Sequence, residues 1–167
     1  DSIFFARHDF RVLSMDLSEV AINQNIQKVK SHNLDNVDFF QGSVSNLLLI
    51  KDLINKARKY SVSGNLAVYS RFFLHSLDEG QEDVFLKTLA DVLVRGDMCY
   101  IEFRDKEDEQ IDKTYDNHYR KFSSLNNIID KLSSKLGFIV EYSLSSRGVA
   151  KYREEDPIVN RIIFKKV

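Results

Sequence analysis

The stretch Phe10-Arg11-Val12-Leu13-Ser14-Met15-Asp16-Leu17-Ser18-Glu19 decides the fold. Its mostly apolar first half predicts a β-strand that ends at Asp16. Ser18 is a favourable N-cap, and the carboxylate of Glu19 suits the positive end of a helix that starts there. Apolar residues then continue at helical spacing to about Ser31. A strand that leads directly into an amphipathic helix is typical of a parallel α/β sheet.

The same alternation continues along the rest of the chain. Further strands are predicted over 37–40, 66–69, 98–103, 138–144 and 158–164, and further helices over 48–60, 78–94 and 125–136. No helix separates the last two strands, so they are expected to pair antiparallel. Residues 3–5 are predicted to end a helix that precedes the first strand. The sequence therefore predicts an α/β fold, with a mostly parallel sheet flanked by helices and a C-terminal antiparallel strand pair.

Composition excludes several classes of protein. The chain has 167 residues, with 24 basic and 25 acidic side chains, so its net charge of −1 argues against a nucleic-acid binder held by bulk electrostatics. A lone Cys99 rules out an internal disulfide and an all-cysteine zinc site, and no metal is expected. No apolar run reaches the roughly 18 residues of a membrane span, and no signal peptide is visible, so a cytoplasmic location is expected. Without repeats or linkers, residues 1–167 are expected to form a single domain.

The residues just past each strand carry the chemical information, because ligands of open parallel sheets bind outside the carboxyl ends of the strands. Asp16 is placed to accept hydrogen bonds from ribose hydroxyls; alternatively, it caps the following helix. Gly42 and Ser43 follow the second strand, where small residues allow a planar ring to approach the backbone or form an ordinary turn.

Charged residues follow the third and fourth strands. Arg71 and His75 interrupt an apolar run, and Glu102 and Arg104 end the fourth strand. A charge in such a position requires a partner, so Arg71, Glu102 and Arg104 are expected to form an ion-paired cluster, either functional or structural. The polar run 104–116 is predicted to be a solvated loop or a mobile lid.

These residues lie in runs that resemble class I S-adenosylmethionine-dependent methyltransferases. The resemblance is carried by residues 1–6, 12–18, 21–22, 68–76, 100–104, 116–122 and 155–163. The set is most similar to small bacterial methyltransferases encoded with surface-polysaccharide and capsule genes, including ones that methylate a phosphoramidate group. It implies a Rossmann-like sheet and transfer of a methyl group from S-adenosylmethionine to a small polar or anionic acceptor, such as a surface-glycan precursor or a phosphoramidate.

The resemblance also implies roles for individual residues. The cofactor-binding residues would be Asp16, Leu17, Gly42, Ser43, Ser70 and Arg71. The acceptor-binding residues would be Arg71, Glu102, Arg104, Tyr119 and Arg120. The candidate catalytic bases are His75 and His118, because an ordinary histidine pKa near 6.5 suits proton removal. The expected partner is a small-molecule acceptor, and no nucleic-acid partner is expected. A homo-oligomer and a monomer are both open.

One feature of the family has no counterpart in this sequence. Members have a first strand and a glycine-rich loop before the Asp-Ser-x-x-Phe-Ala segment, whereas none of the six glycines here forms a Gly-x-Gly cluster. The first strand of the family is therefore expected to be missing from this sequence, which would leave a gap in the sheet beside the strand ending at Asp16. The domain would then be N-terminally incomplete. The isolated chain is expected to be inactive and to bind the cofactor weakly or not at all. A non-catalytic methyltransferase-like partner or regulatory subunit is the main alternative. A different adenosine-nucleotide binder is disfavoured by the terminal antiparallel pair.

Overall fold

The computed structural model describes residues 1–62, 64–111 and 119–167. The chain divides into two compact units, Asp1–Gly64 and Asn65–Val167. The elements of the first unit are α1 (Ser2–Ala6), β1 (Val12–Asp16), α2 (Glu19–Ser31), β2 (Val37–Gln41) and α3 (Leu47–Tyr60). Strands β1 and β2 pair in parallel, with Asp16 opposite Gln41 at their carboxyl ends. The first unit is thus a β-α-β arrangement, preceded in the sequence by α1 and followed by α3.

Side-chain caps fix where the helices of the first unit begin. The hydroxyl of Ser18 accepts a hydrogen bond from the amide of Ala21, as the sequence predicts, and the side chain of Asn46 caps α3 in the same way. The core of this unit is small: buried apolar residues of α1, α2 and β2 form it, namely Ala6, Val29 and Val37. Burial of its apolar face is what stabilises α2, because an isolated helix of 13 residues is marginal in water.

The second unit contains a four-stranded sheet. Its elements are β3 (Ala67–Arg71), α4 (Glu79–Val92), β4 (Met98–Arg104), α5 (Leu125–Lys135), β5 (Phe138–Ser146) and β6 (Val159–Lys166). The strand order is β3-β4-β6-β5, in which β3 and β4 are parallel and β6 is antiparallel to both neighbours. Because β6 opposes β4, the start of β6 lies beside the end of β4, with Val159 opposite Arg104.

Apolar residues of the central strands form the core of the second unit. Phe103, Ile162 and Phe164 are almost completely buried. Asp97 is also buried, and its carboxylate accepts hydrogen bonds from the amides of Leu66 and Val94, both at 2.9 Å. These bonds join the segments that enter β3 and β4, so the two strands start in a fixed register.

The predicted fold class is confirmed: the protein has parallel strand pairs, flanking helices and a C-terminal antiparallel pair. Among the described residues, β1 is bonded only to β2 and β3 only to β4, so the strands belong to two hydrogen-bonded sheets. No helix in the described part of the chain is long and apolar enough to cross a membrane.

The polar run after β4 differs from its predicted character. Residues Lys106–Gln110 form a 3₁₀ helix capped by Asp105, and the side chains of Asp105 and Asp108 are buried. The start of this run is therefore anchored in the second unit rather than solvated, because each buried carboxylate has hydrogen-bond partners. The remainder of the predicted loop, 112–116, lies outside the described residues.

Candidate functional site

The first unit presents four of the predicted cofactor-binding residues at one sheet edge. Asp16 is the last residue of β1, and its backbone carbonyl accepts a hydrogen bond from the amide of Gly42 at 2.9 Å. The carboxylate of Asp16 accepts from the amide of Ser18 through Oδ1 at 2.8 Å, which forms an Asx turn leading into α2, whose N-cap is Ser18. The described residues provide no partner for Oδ2, which leaves one oxygen able to accept another hydrogen bond. Leu17 beside it is 71% exposed.

The turn after β2 has a packing reason for its small residues. A Cβ atom at Gly42 would lie 2.1 Å from Cδ2 of Leu49 and 3.6 Å from Sδ of Met15. The hydroxyl of Ser43 accepts a hydrogen bond from the amide of Ser45 at 3.1 Å. The turn interpretation of this segment is thus sufficient to explain both residues, and their role toward a cofactor stays a prediction.

The second unit contains a pocket of about 310 Å³ where β3 and β4 end. Four predicted residues line it: Arg71, His75, Arg104 and Arg120. Six residues that the sequence did not single out also line it: Phe72, Ala150, Lys151, Tyr152, Glu155 and Pro157. Most of these additional residues come from the connection between β5 and β6, which reaches this edge because β6 starts beside the end of β4.

One residue that lines the pocket has a strained backbone. Phe72 follows β3 directly and has a φ angle of 50°, which is unfavourable for a bulky side chain. Its amide donates to the carbonyl of Glu102 at 2.8 Å, and its ring lies 5.2 Å from Cζ of Arg71 and 5.8 Å from the ring of His75. Strain of this kind persists only where surrounding contacts hold it, and it concentrates at functional sites.

Two separate ion-paired groups flank the pocket. Glu102 accepts from Nε of Arg71 at 2.8 Å and from Nε of Arg161 at 2.5 Å. Arg104 is bound instead by Asp108 at 2.7 Å and by Glu155. The structure therefore shows the predicted Arg71–Glu102 pair but assigns Arg104 to a second group. Glu102 acts on the pocket through Arg71, since its own side chain is not part of the lining.

Three other predicted residues have different surroundings. Ser70 is buried at the end of β3, and within the described chain its hydroxyl has no hydrogen-bond partner. Tyr119 is 62% exposed and does not line the pocket. His118 lies outside the described residues. The described residues contain no group of three or more His, Cys, Asp or Glu side chains that could hold a metal ion.

His75 has an unusual electrostatic environment. Burial removes water from the imidazolium, and the guanidinium groups of Arg104 and Arg120 repel it, so the pKa of His75 is lowered to about 4, although Asp108 acts in the opposite direction. Its Nδ1 atom is buried and has no hydrogen-bond partner among the described residues. The ordinary pKa assumed from the sequence is therefore wrong: His75 is neutral at pH 7 and able to accept a proton, but it is a weak base.

This shift gives a testable pH dependence. Because the folded pKa, about 4, lies below the unfolded value of 6.5, the unfolded chain binds more protons between these pH values. His75 thus favours the folded state fully above pH 6.5, and this contribution is lost as the pH falls toward 4. The free energy of unfolding of the unmodified protein should therefore decrease between pH 7 and pH 5. In His75→Gln this decrease should be smaller by about 1 kcal/mol, after allowance for partial solvent exposure. Urea unfolding at both pH values measures this, and an unchanged loss in the variant would contradict the shift.

No protein-family model matches the chain, and no curated protein matches it in sequence. Its similarity to solved structures is clear. A SAM-dependent methyltransferase from Methanosarcina mazei gives a TM-score of 0.71 at 16% identity, covering 99% of this chain and 86% of that one. The N-methyltransferase NodS from Bradyrhizobium japonicum, solved with S-adenosyl-L-homocysteine, gives 0.61 at 14% identity, covering 93% of this chain and 66% of NodS. The cyclase SpnF gives 0.66 at 12% identity, covering 98% and 70%.

These similarities define the fold. The chain has the Rossmann-like α/β fold of class I S-adenosylmethionine-dependent methyltransferases over nearly its whole length. A cyclase shares the same fold, so the reaction has to be argued from the site.

Proposed function

We propose that this protein performs S-adenosylmethionine-dependent methyl transfer to a small polar or anionic acceptor. One observation carries the proposal: a pocket lined by three arginines and a lysine lies at the carboxyl edge of a methyltransferase-type sheet. Pockets in open α/β sheets at this edge are the usual place for ligands. Arginine matches the planar geometry of carboxylates and phosphates, which favours an acceptor bearing such a group.

The first unit fits the adenosine part of the cofactor. Asp16 has a carboxylate oxygen without a described partner, at the end of a strand, where ribose hydroxyls could donate to it. Leu17 offers an exposed apolar side chain next to that carboxylate, suited to packing on a purine ring. Gly42 and Ser43 form the neighbouring turn. In the second unit, the resemblance gives Ser70 and Arg71 a role toward the methionine part.

The charges around the pocket favour an anionic acceptor. Three of its four cations already have carboxylate partners: Arg71 is paired with Glu102, Arg104 with Asp108 and Glu155, and Lys151 with Asp156 at 3.9 Å. Arg120 is half-buried and forms no ion pair with any described residue. A guanidinium that is partly removed from water without a partner is an attractive site for an incoming carboxylate or phosphoryl group.

The chemistry required of this protein is mainly alignment. Bound S-adenosylmethionine supplies an electrophilic methyl group on a sulfonium sulfur. The arginines would orient the acceptor, and His75, neutral at pH 7, would accept its proton where one is lost. His118 is the second candidate base. On the basis of the resemblance, we also propose that the protein is bacterial and cytoplasmic and takes part in capsule or surface-glycan synthesis. Its acceptor would be a glycan precursor or a phosphoramidate, and the chain would act as a single methyltransferase-like domain.

Cofactor binding tests the proposed function. We expect the protein expressed from its complete reading frame to bind S-adenosylmethionine in a calorimetric titration. Asp16→Ala should weaken this binding about 10–100-fold, since hydrogen bonds to a charged group contribute about 1.5–3 kcal/mol. Glu19→Ala is the matched control, because Glu19 is another exposed carboxylate three residues away and no part of the predicted site.

Two outcomes would count against the proposal. Equal affinities of Asp16→Ala and Glu19→Ala would show that Asp16 does not hold the cofactor. Absence of binding by the unmodified protein would overturn the methyltransferase function and favour the non-catalytic partner instead.

A further inference from the structure

A short segment beside the pocket, residues 119–123, brings Arg120 into the lining. The segment is not part of a helix or strand. Its backbone is nevertheless tied to the pocket, because the amide of Lys121 donates to the carbonyl of His75 at 2.8 Å. The position of Arg120 relative to His75 therefore depends on what holds Lys121.

Lys121 is held by a buried carboxylate. Glu82 of α4 is 0% exposed, and its carboxylate forms ion pairs with Nζ of Lys121 at 2.8 Å and with Nζ of Lys131 at 2.9 Å. The hydroxyl of Ser123 donates to the same carboxylate at 3.5 Å. A buried ion pair contributes little net stability compared with apolar residues of similar size, so a fully buried glutamate is better explained by the position it specifies.

A second buried polar residue holds the far end of the segment. Asn160 of β6 is completely buried, and its amide group donates to Asp105 at 2.6 Å and to the carbonyl of Ser123 at 3.5 Å. Residues 121 and 123 are thus both fixed from the interior, while Arg120 extends into the pocket. Such a network allows few alternative positions for the segment.

We propose that Glu82 is a positioning residue of the acceptor pocket. By binding Lys121, it fixes the position of Arg120 relative to His75. The meaning of the pocket as an acceptor site rests on the proposed function, whereas the positioning itself does not. Glu82 would contact neither cofactor nor acceptor.

The two lysines that bind Glu82 provide a matched pair of variants. Lys121 and Lys131 have similar distances to the carboxylate and similar side-chain exposures, 20% and 18%, but only Lys121 belongs to the segment. We expect Lys121→Met to release Arg120 and to raise the pKa of His75 from about 4 toward 6.5, whereas Lys131→Met should leave it unchanged. The measurement is an NMR titration of the histidine ring signals, with His75→Gln assigning the signal among four histidines.

A double variant separates displacement of Arg120 from the lost charge of Lys121. Arg120→Gln alone should raise the pKa of His75, since Arg120 is one of the two guanidinium groups that lower it. Adding Lys121→Met to Arg120→Gln should then give no further rise. Equal effects of Lys121→Met and Lys131→Met, or a full additional rise in the double variant, would overturn the proposal. Because neither cofactor nor acceptor is present, these results are independent of whether the protein transfers methyl groups.

Discussion

Replacing Asp108 with alanine is expected to lower the free energy of unfolding by about 3–5 kcal/mol, the range for breaking a buried ion pair. Asp108 is 0% exposed. Its Oδ2 accepts from Nη1 of Arg104 at 2.7 Å, and its Oδ1 accepts from the amide of Ile158 at 2.9 Å. The substitution removes an ion pair and a backbone hydrogen bond together, which would loosen the start of β6 from the end of β4.

The adjacent residue provides the control for this prediction. Glu109 lies in the same 3₁₀ helix and pairs with Lys106 at 2.8 Å, but the side chains are 45% and 61% exposed. Glu109→Ala should therefore change stability by less than about 1 kcal/mol, as is usual for exposed ion pairs. Urea unfolding followed by circular dichroism measures both variants. Similar losses in the two would show that burial of Asp108 has no special energetic role.

The helices and strands could be predicted because their signals are local. The cap at Ser18 and the apolar spacing after it define α2, and the structure places that helix at Glu19–Ser31. No helix is predicted between the last two strands, which indicated antiparallel pairing, and β5 and β6 pair in this way. Strand ends were also informative, since Arg71 and Arg104 end β3 and β4 and both line the pocket. Their position follows from the parallel pairing of these strands.

Long-range contacts could not be predicted in the same way. Asp108 and Glu82 look like ordinary surface carboxylates in a polar run and an amphipathic helix, yet both are buried with cationic partners. Their burial depends on partners far along the chain, the amide of Ile158 for Asp108 and Lys121 for Glu82, which no local periodicity connects to them. The connection between β5 and β6 reaches the pocket through strand order, a property of the assembled sheet.

Under the proposed function, with a sugar phosphoramidate as the test acceptor, Arg120→Gln is expected to lower kcat/KM by about 10–100-fold, which corresponds to the 1.5–3 kcal/mol of a charge-assisted hydrogen bond. Of the three arginines that line the pocket, Arg71 and Arg104 already bind carboxylates, so an anionic acceptor gains most from Arg120. Cofactor affinity should stay within about twofold of the unmodified protein, since the predicted contribution is to the acceptor alone.

The control is Arg95→Gln, because Arg95 belongs to the same unit but does not line this pocket. Steady-state kinetics at saturating cofactor would compare the two variants. A loss confined to Arg120→Gln, expressed mainly as a higher KM, would mean that the guanidinium binds the acceptor before the methyl group moves. Equal activity of the two variants would mean that the acceptor's charge is not recognised at Arg120, and the anionic acceptor class would have to be abandoned even if cofactor binding were confirmed.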